Sequence, residues 1–189
     1  MRRKDREMNR EFGFDLIDRA DYGVLSVVDG DAPLSVPLSM VRYGNYLYFH
    51  SAREGRKTDV FYDGINVTVV FVADVKVPEL FGDDELSKIA IDESKFSVLV
   101  SSVFTTEFAS VIVTGTLEEV LDEDEMLHAL ELVCKKYTPT KMEYFNSAVL
   151  SGAKHTRVYK VMIEELTSKR KKYAKDGHEL KFMEEEQSE

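Results

Sequence analysis

Residues 108–120 read Phe-Ala-Ser-Val-Ile-Val-Thr-Gly-Thr-Leu-Glu-Glu-Val, and no other stretch of the chain restricts its fold as much. β-Branched side chains lose rotamer freedom in a helix and fit a pleated surface, so this run reads as a strand. Gly115 in its interior hints at a bend or bulge of the sort barrels use to turn corners. A long bent strand needs neighbours on both edges, and the rest of the chain supplies them. Residues 22–28 carry apolar side chains on both faces, and Asp29-Gly30-Asp31 turns them into a hairpin with residues 34–42. In that second strand Leu34, Val36, Leu38 and Met40 share the core face, whereas Ser35, Pro37 and Ser39 leave the other face small and polar. Pro37 lacks an N–H donor, which predicts an edge or a bulge. Residues 66–72 form a β-branched run of the buried kind, and residues 156–166 set Tyr159, Val161 and Ile163 against Lys160 and Glu164. The expected class is mainly β with helices, an antiparallel barrel.

Helical signals fall between these strands. Phe12, Leu16 and Ala20 recur every fourth position and predict a helix over 3–21. A short helix is expected over 55–62, closed by Asp63-Gly64, and another near 86–92 within an otherwise irregular 73–104. From Asp122 the period becomes helical, with Asp122 and Glu125 as cap and Met126, Leu130, Val133 and Tyr137 on one face. Thr138-Pro139 stops that helix, and a further one is expected over 141–150.

A length of 189 residues without internal repeat predicts one domain over 1–168. Residues 169–189 are charge-segregated, basic over 169–175 and acidic over 184–186, and are expected to form a charged, frayed tail. The net charge of −10 argues against a nucleic-acid surface. No apolar run approaches the roughly 20 residues that cross a bilayer, and the charged start lacks a secretory signal's apolar stretch, so a cytoplasmic protein is expected. Cys134 is the only cysteine, and His50, His128, His155 and His178 lack metal-ligand spacing, so no metal site is expected.

The chemistry concentrates in residues 46–59. Leu47 and Phe49 share one face of a strand and Tyr46, Tyr48 and His50 the other; Arg53, Arg56 and Lys57 then surround Gly55 where a helix could begin. Unpaired N–H groups at a helix start, with nearby cations, favour a phosphate dianion. Ser51 and Glu54 also fit a capping box, in which they would satisfy only each other's backbone donors.

Taken in order, residues 36–38 (Val-Pro-Leu), 47–52 (Leu-Tyr-Phe-His-Ser-Ala), 54–57 (Glu-Gly-Arg-Lys), 110–112 (Ser-Val-Ile) with Gly115, the charged start and the closing strand resemble the pyridoxamine 5′-phosphate oxidase family of FMN-binding split barrels, in particular its nitroimidazole-resistance branch. The resemblance implies a homodimer with FMN between the subunits. Val36, Pro37, Leu38 and Ser39 would flank the ring, His50 and Ser51 would sit at the ring-to-phosphate end, and Arg56 and Lys57 would hold the phosphate. Phe108 and Ser110 would reach the flavin bound mainly by the other subunit. Related proteins often carry arginine before this serine, where this chain has Ala109. His50 is the catalytic candidate, and a small, flat, electron-poor substrate such as a nitroimidazole the expected acceptor. The chain has no glycine-rich dinucleotide fingerprint, so NAD(P)H as donor would bind transiently over the flavin. A haem protein with His50 as an axial ligand, a flavin sensor or store, and a cofactor-free dimerisation module are the alternatives.

Overall fold

A computed structural model describes residues 3–174 and 176–181. The strands are β1 (Glu7–Met8), β2 (Gly23–Asp29), β3 (Ala32–Leu38), β4 (Val41–Tyr43), β5 (Tyr46–Ala52), β6 (Ile65–Lys76), β7 (Glu107–Glu119), β8 (Thr156–Tyr173) and β9 (Glu179–Leu180). The helices are α1 (Arg10–Arg19), α2 (Arg56–Val60), α3 (Asp83–Ile91), α4 (Phe96–Val98), α5 (Glu123–Tyr137) and α6 (Phe145–Gly152). All strand pairings are antiparallel, in the order β3-β2-β6-β7-β8-β5-β4, with β1 and β9 added to β8. The proline-bearing strand β3 lies at one edge, where a missing N–H costs least.

Leu25 of β2 and Leu47 and Phe49 of β5 stand far apart in this order, yet they share one core with Val69, Val113, Val161 and the α1 residues Leu16 and Ile17. The sheet therefore curls around its own inner face, and no ladder joins β3 to β4 among the described residues. The curl is assisted at Gly115. There the register of β7 against β8 passes from Thr114↔Glu165 to Gly115↔Ile163, leaving Glu164 as an extra residue. A Cβ on Gly115 would come within 1.8 Å of the Met162 carbonyl oxygen, so no other residue fits without backbone movement.

The outer face is covered over β4 and β5 by α5. Val41, Tyr48, Val120 and Val158 pack there against Ala129 and Val133. Asp122 caps α5 by accepting from the Glu125 N–H at 2.8 Å, as expected, and the Glu125 carboxylate takes hydrogen bonds from Tyr48 Oη at 2.8 Å and Lys160 Nζ at 3.0 Å. Burial first, and the hydrogen bond to Glu125 second, push the Tyr48 hydroxyl pKa well above its ordinary value. At the other end of α5, Lys136 Nζ donates to the carbonyls of Ile17 and Met40, both at 3.0 Å, locking the helix to α1 and to the break between β3 and β4.

Several sequence expectations change. The opening helix begins only after Asn9, whose side chain caps it by accepting from Phe12 N–H. Before it lie a 3-10 turn over Lys4–Arg6 and strand β1. The strand expected over 34–42 is two strands, β3 and β4. The helix expected over 141–150 is a 3-10 turn over Pro139–Tyr144 followed by α6. The charged stretch from residue 169 is not a free tail as far as Tyr173. It continues β8, pairing Lys171 with Phe108 and Lys169 with both Ser110 and Glu7. Residues 1 and 2, Lys175 and the acidic residues 184–186 lie outside the described residues. No helix among the described residues is long and apolar enough to cross a membrane.

Candidate functional site

The expected site residues gather at two ends of the barrel. At the first end the β2–β3 turn, the end of β5, α2 and the start of β6 meet. Ser51 shares the inner side of β5 with Phe49 and is 3% exposed, and its Oγ has no hydrogen-bond partner among the described residues. A buried hydroxyl without a partner carries a desolvation cost that an arriving acceptor would remove. The capping box with Glu54 is not formed. The N-cap of α2 is Gly55, at φ 109° and ψ 165°, a conformation that suits glycine, and Thr58 N–H and Oγ1 bond the Gly55 carbonyl instead.

Helix α2 has only 5 residues, so its dipole is a weak attractant and side-chain charge must supply the field. Arg56 is already engaged: its Nε and Nη2 donate to Asp29 Oδ2 at 2.9 and 2.8 Å, across to the end of β2. Lys57 forms no ion pair among the described residues. It lies close enough to His50 for its ammonium to act on the imidazole. His50 is exposed at the end of β5, yet local desolvation first, and the Lys57 charge second, hold its pKa below the ordinary value of 6.5. The imidazole at this end is therefore neutral at neutral pH, able to donate one hydrogen bond and accept another.

The second end holds Phe108 and Ser110. Glu119 at the far end of β7 is the register partner of Tyr159, which in turn pairs with Phe49, so the β7 span from Ser110 to Glu119 separates the two ends by about 30 Å at the usual strand rise. Val36 and Pro37 lie between the ends on edge strand β3. Leu38 is in register with Gly23, and Gly23 with Phe71, which places Leu38 and the following Ser39 toward the second end. The fold thus brings His50, Ser51, Arg56 and Lys57 together, and does not bring Phe108, Ser110, Leu38 or Ser39 to them within one chain.

Between the ends runs an outer face that no described residue covers. Across β3, β2, β6, β7 and β8 the register aligns Ser35, Ser26, Thr68, Thr114 and Glu165 in one row, and Pro37, Val24, Val70, Ile112 and Thr167 in the next. Val24, Val28, Val72 and Ile112 are exposed. A flat face of small and β-branched side chains with few charges is unusual as a solvated surface. Asp29, the partner of Arg56, reads in the sequence only as a turn residue; the signal was an acid near the basic loop in space, which no spacing reveals. No group of described His, Cys, Asp or Glu side chains is arranged to hold a metal ion.

The fold has close counterparts. A candidate 5-nitroimidazole antibiotic resistance protein from Bacteroides thetaiotaomicron superposes with a TM-score of 0.62 at 22% identity, over 86% of this chain and 84% of its own. An FAD and haem binding protein from Mycobacterium smegmatis gives 0.66 at 18% identity, over 86% and 71%. A flavocytochrome from Azotobacter vinelandii gives 0.65 at 17% identity, over 87% and 68%. No curated protein sequence matches the chain. Residues 10–170, from the first turn of α1 into the last third of β8, match the family model described as pyridoxamine 5′-phosphate oxidase, and the chain belongs to that family.

Proposed function

We propose that the protein is an FMN-dependent oxidoreductase in which two copies build two flavin sites and reduce a small, flat, electron-poor substrate such as a nitroimidazole. One observation carries the reading: a buried Ser51 hydroxyl without a partner among the described residues stands beside the Gly55 loop, a Lys57 ammonium that forms no ion pair with them, and a neutral His50. These residues fit a phosphate. Ser51 Oγ would donate to it, Lys57 would balance its charge, and Arg56 would turn from Asp29 to join them. FMN would supply the redox chemistry, and the chain's own groups orient it and set access to its ring. His50 would offer an imidazole N–H to the substrate or to the flavin edge without adding charge.

The separation of the ends supports the two-copy arrangement. A two-fold axis through the middle of the bare outer face would lay Phe108 and Ser110 of one copy over the His50 end of the other, with Val36 to Ser39 along the seam. The same contact would bury Val24, Val72 and Ile112. A structural neighbour named for nitroimidazole resistance, and others named for FAD and haem, support the substrate class and the flavin. A nicotinamide donor, NAD(P)H, would bind transiently against the flavin.

Absorbance of the protein as purified, followed by identification of the released cofactor, tests the reading. Flavin bands and released FMN are expected, with retention at least tenfold weaker in Lys57→Met and clearly weaker in Ser51→Ala. A Soret band would favour the haem alternative with His50 as ligand, and protein that takes up neither group would overturn the proposal.

A further inference from the structure

The end of the barrel remote from α2 carries its own cavity, of about 420 Å³, lined chiefly by Asp74, Lys76, Glu107, Phe108, Lys171 and Lys172. Phe108 and Lys171 are register partners on β7 and β8 and emerge on the same side of the sheet. Lys171 is unusual for a lysine in being only 8% exposed. Its Nζ donates to Thr105 Oγ1 and stands 5.3 Å from the centroid of the Tyr173 ring, and it forms no ion pair among the described residues. An ammonium has three donors, and the single hydroxyl uses one.

Both carboxylates of the cavity are engaged by other groups. Asp74 pairs with Arg19 at 2.6 Å. Glu107, itself 4% exposed, pairs with Lys76 at 3.0 Å and accepts from the Tyr173 N–H at 2.7 Å. A buried cation without a countercharge among the described residues is costly. The chain as a whole carries −10, so this buried positive charge is a local feature and not a consequence of bulk charge.

We propose that this cavity binds a small organic anion, a carboxylate joined to a flat ring, with the carboxylate on Lys171 and the ring against Phe108. Its volume is in the range of small-molecule pockets and suits a one-ring ligand. The site is complete within one chain and does not require a bound flavin, although Phe108 belongs to both readings.

Benzoate is the probe, titrated into the full-length protein as purified and followed by calorimetry, with cyclohexanecarboxylate and inorganic phosphate as comparisons. Saturable binding of one benzoate per chain is expected, weaker by at least tenfold in Lys171→Met and retained in Lys171→Arg. Cyclohexanecarboxylate and phosphate should both bind less tightly, and Phe108→Leu should narrow the gap between the two ring acids. Lys57→Met, which is expected to weaken flavin retention, should leave benzoate binding unchanged, so the two readings fail separately. Thermal melting checks that each variant is folded. Should Lys171→Met not fold, the Phe108→Leu comparison decides alone. Benzoate binding that does not saturate, that survives Lys171→Met, or that phosphate matches would overturn the proposal.

Discussion

The outer face of the sheet has two halves built from similar side chains and treated differently. Over β4 and β5, helix α5 covers Tyr48, Val120 and Val158, and buries a hydrogen-bonded group of Tyr48, Glu125 and Lys160 beneath its first turns. Over β2, β6 and β7, Val24, Val72 and Ile112 face outward with a row of serines and threonines, and none of the described residues lies above them. The covered half uses large side chains with polar tips that find partners in the same chain. The bare half is flatter, with short side chains whose hydroxyls satisfy each other, as Ser26 and Ser35 do at 2.8 Å. Such a face suits another flat surface better than it suits a helix, and the proposed second copy would supply one.

The largest test of this contrast is Val133→Asp on α5. An unpaired carboxylate would then lie buried between helix and sheet, and a loss of about 3–5 kcal/mol in unfolding free energy by urea denaturation is expected. Ile112→Glu on the bare half should change the stability of a single chain by less than about 1 kcal/mol, as surface changes usually do. Light scattering should nevertheless show the same variant losing self-association. Wild-type protein that is monomeric, or an oligomer indifferent to Ile112→Glu, would remove the case for a second copy there.

The smallest test concerns His50, which shares the outer face two positions beyond Tyr48 and is exposed. Its folded pKa is depressed below 6.5, so the unfolded chain takes up the proton first as pH falls. The contribution of His50 to stability is therefore complete above 6.5 and is lost as pH drops through the lower folded value. Being exposed, it should contribute only a small slope. His50→Gln should abolish that slope in thermal melts compared between neutral and mildly acidic pH, and an unchanged slope would mean that Lys57 and the surrounding chain do not act on the imidazole.

Most strands were legible because their alternation of apolar and polar residues is uninterrupted, as in the Tyr159, Val161, Ile163 series. The misreading of residues 169–173 has a definite physical origin. The bulge at Glu164 moves the inward positions of β8 from odd to even numbers, so Leu166 and Ser168 face the interior while Lys169 and Lys171 emerge on the other side. Across that shift a strictly periodic pattern dissolves, and what remains looks like a run of charge. At the site, the basic loop and Ser51 were visible as residue types, but the commitment of Arg56 to Asp29 depends on two turns meeting in space. The burial of Lys171 depends on Thr105 and Tyr173 meeting around it. Neither depends on local periodicity.

That one extra residue also gives β8 something like a reading frame. Its first half is phased to β5 and its second half to β1 and the far end of β7, and Glu164 is where the two phases are joined. Removing Glu164 would therefore straighten the strand without changing either phase: Ile163 would still pair with Gly115 and Glu165 with Thr114, and Ile163 and Leu166 would both still face inward. Length changes in the loops between strands should be absorbed locally, whereas a single deletion at a paired position beyond the bulge, such as Thr167, would exchange the inside and the outside of the rest of the strand.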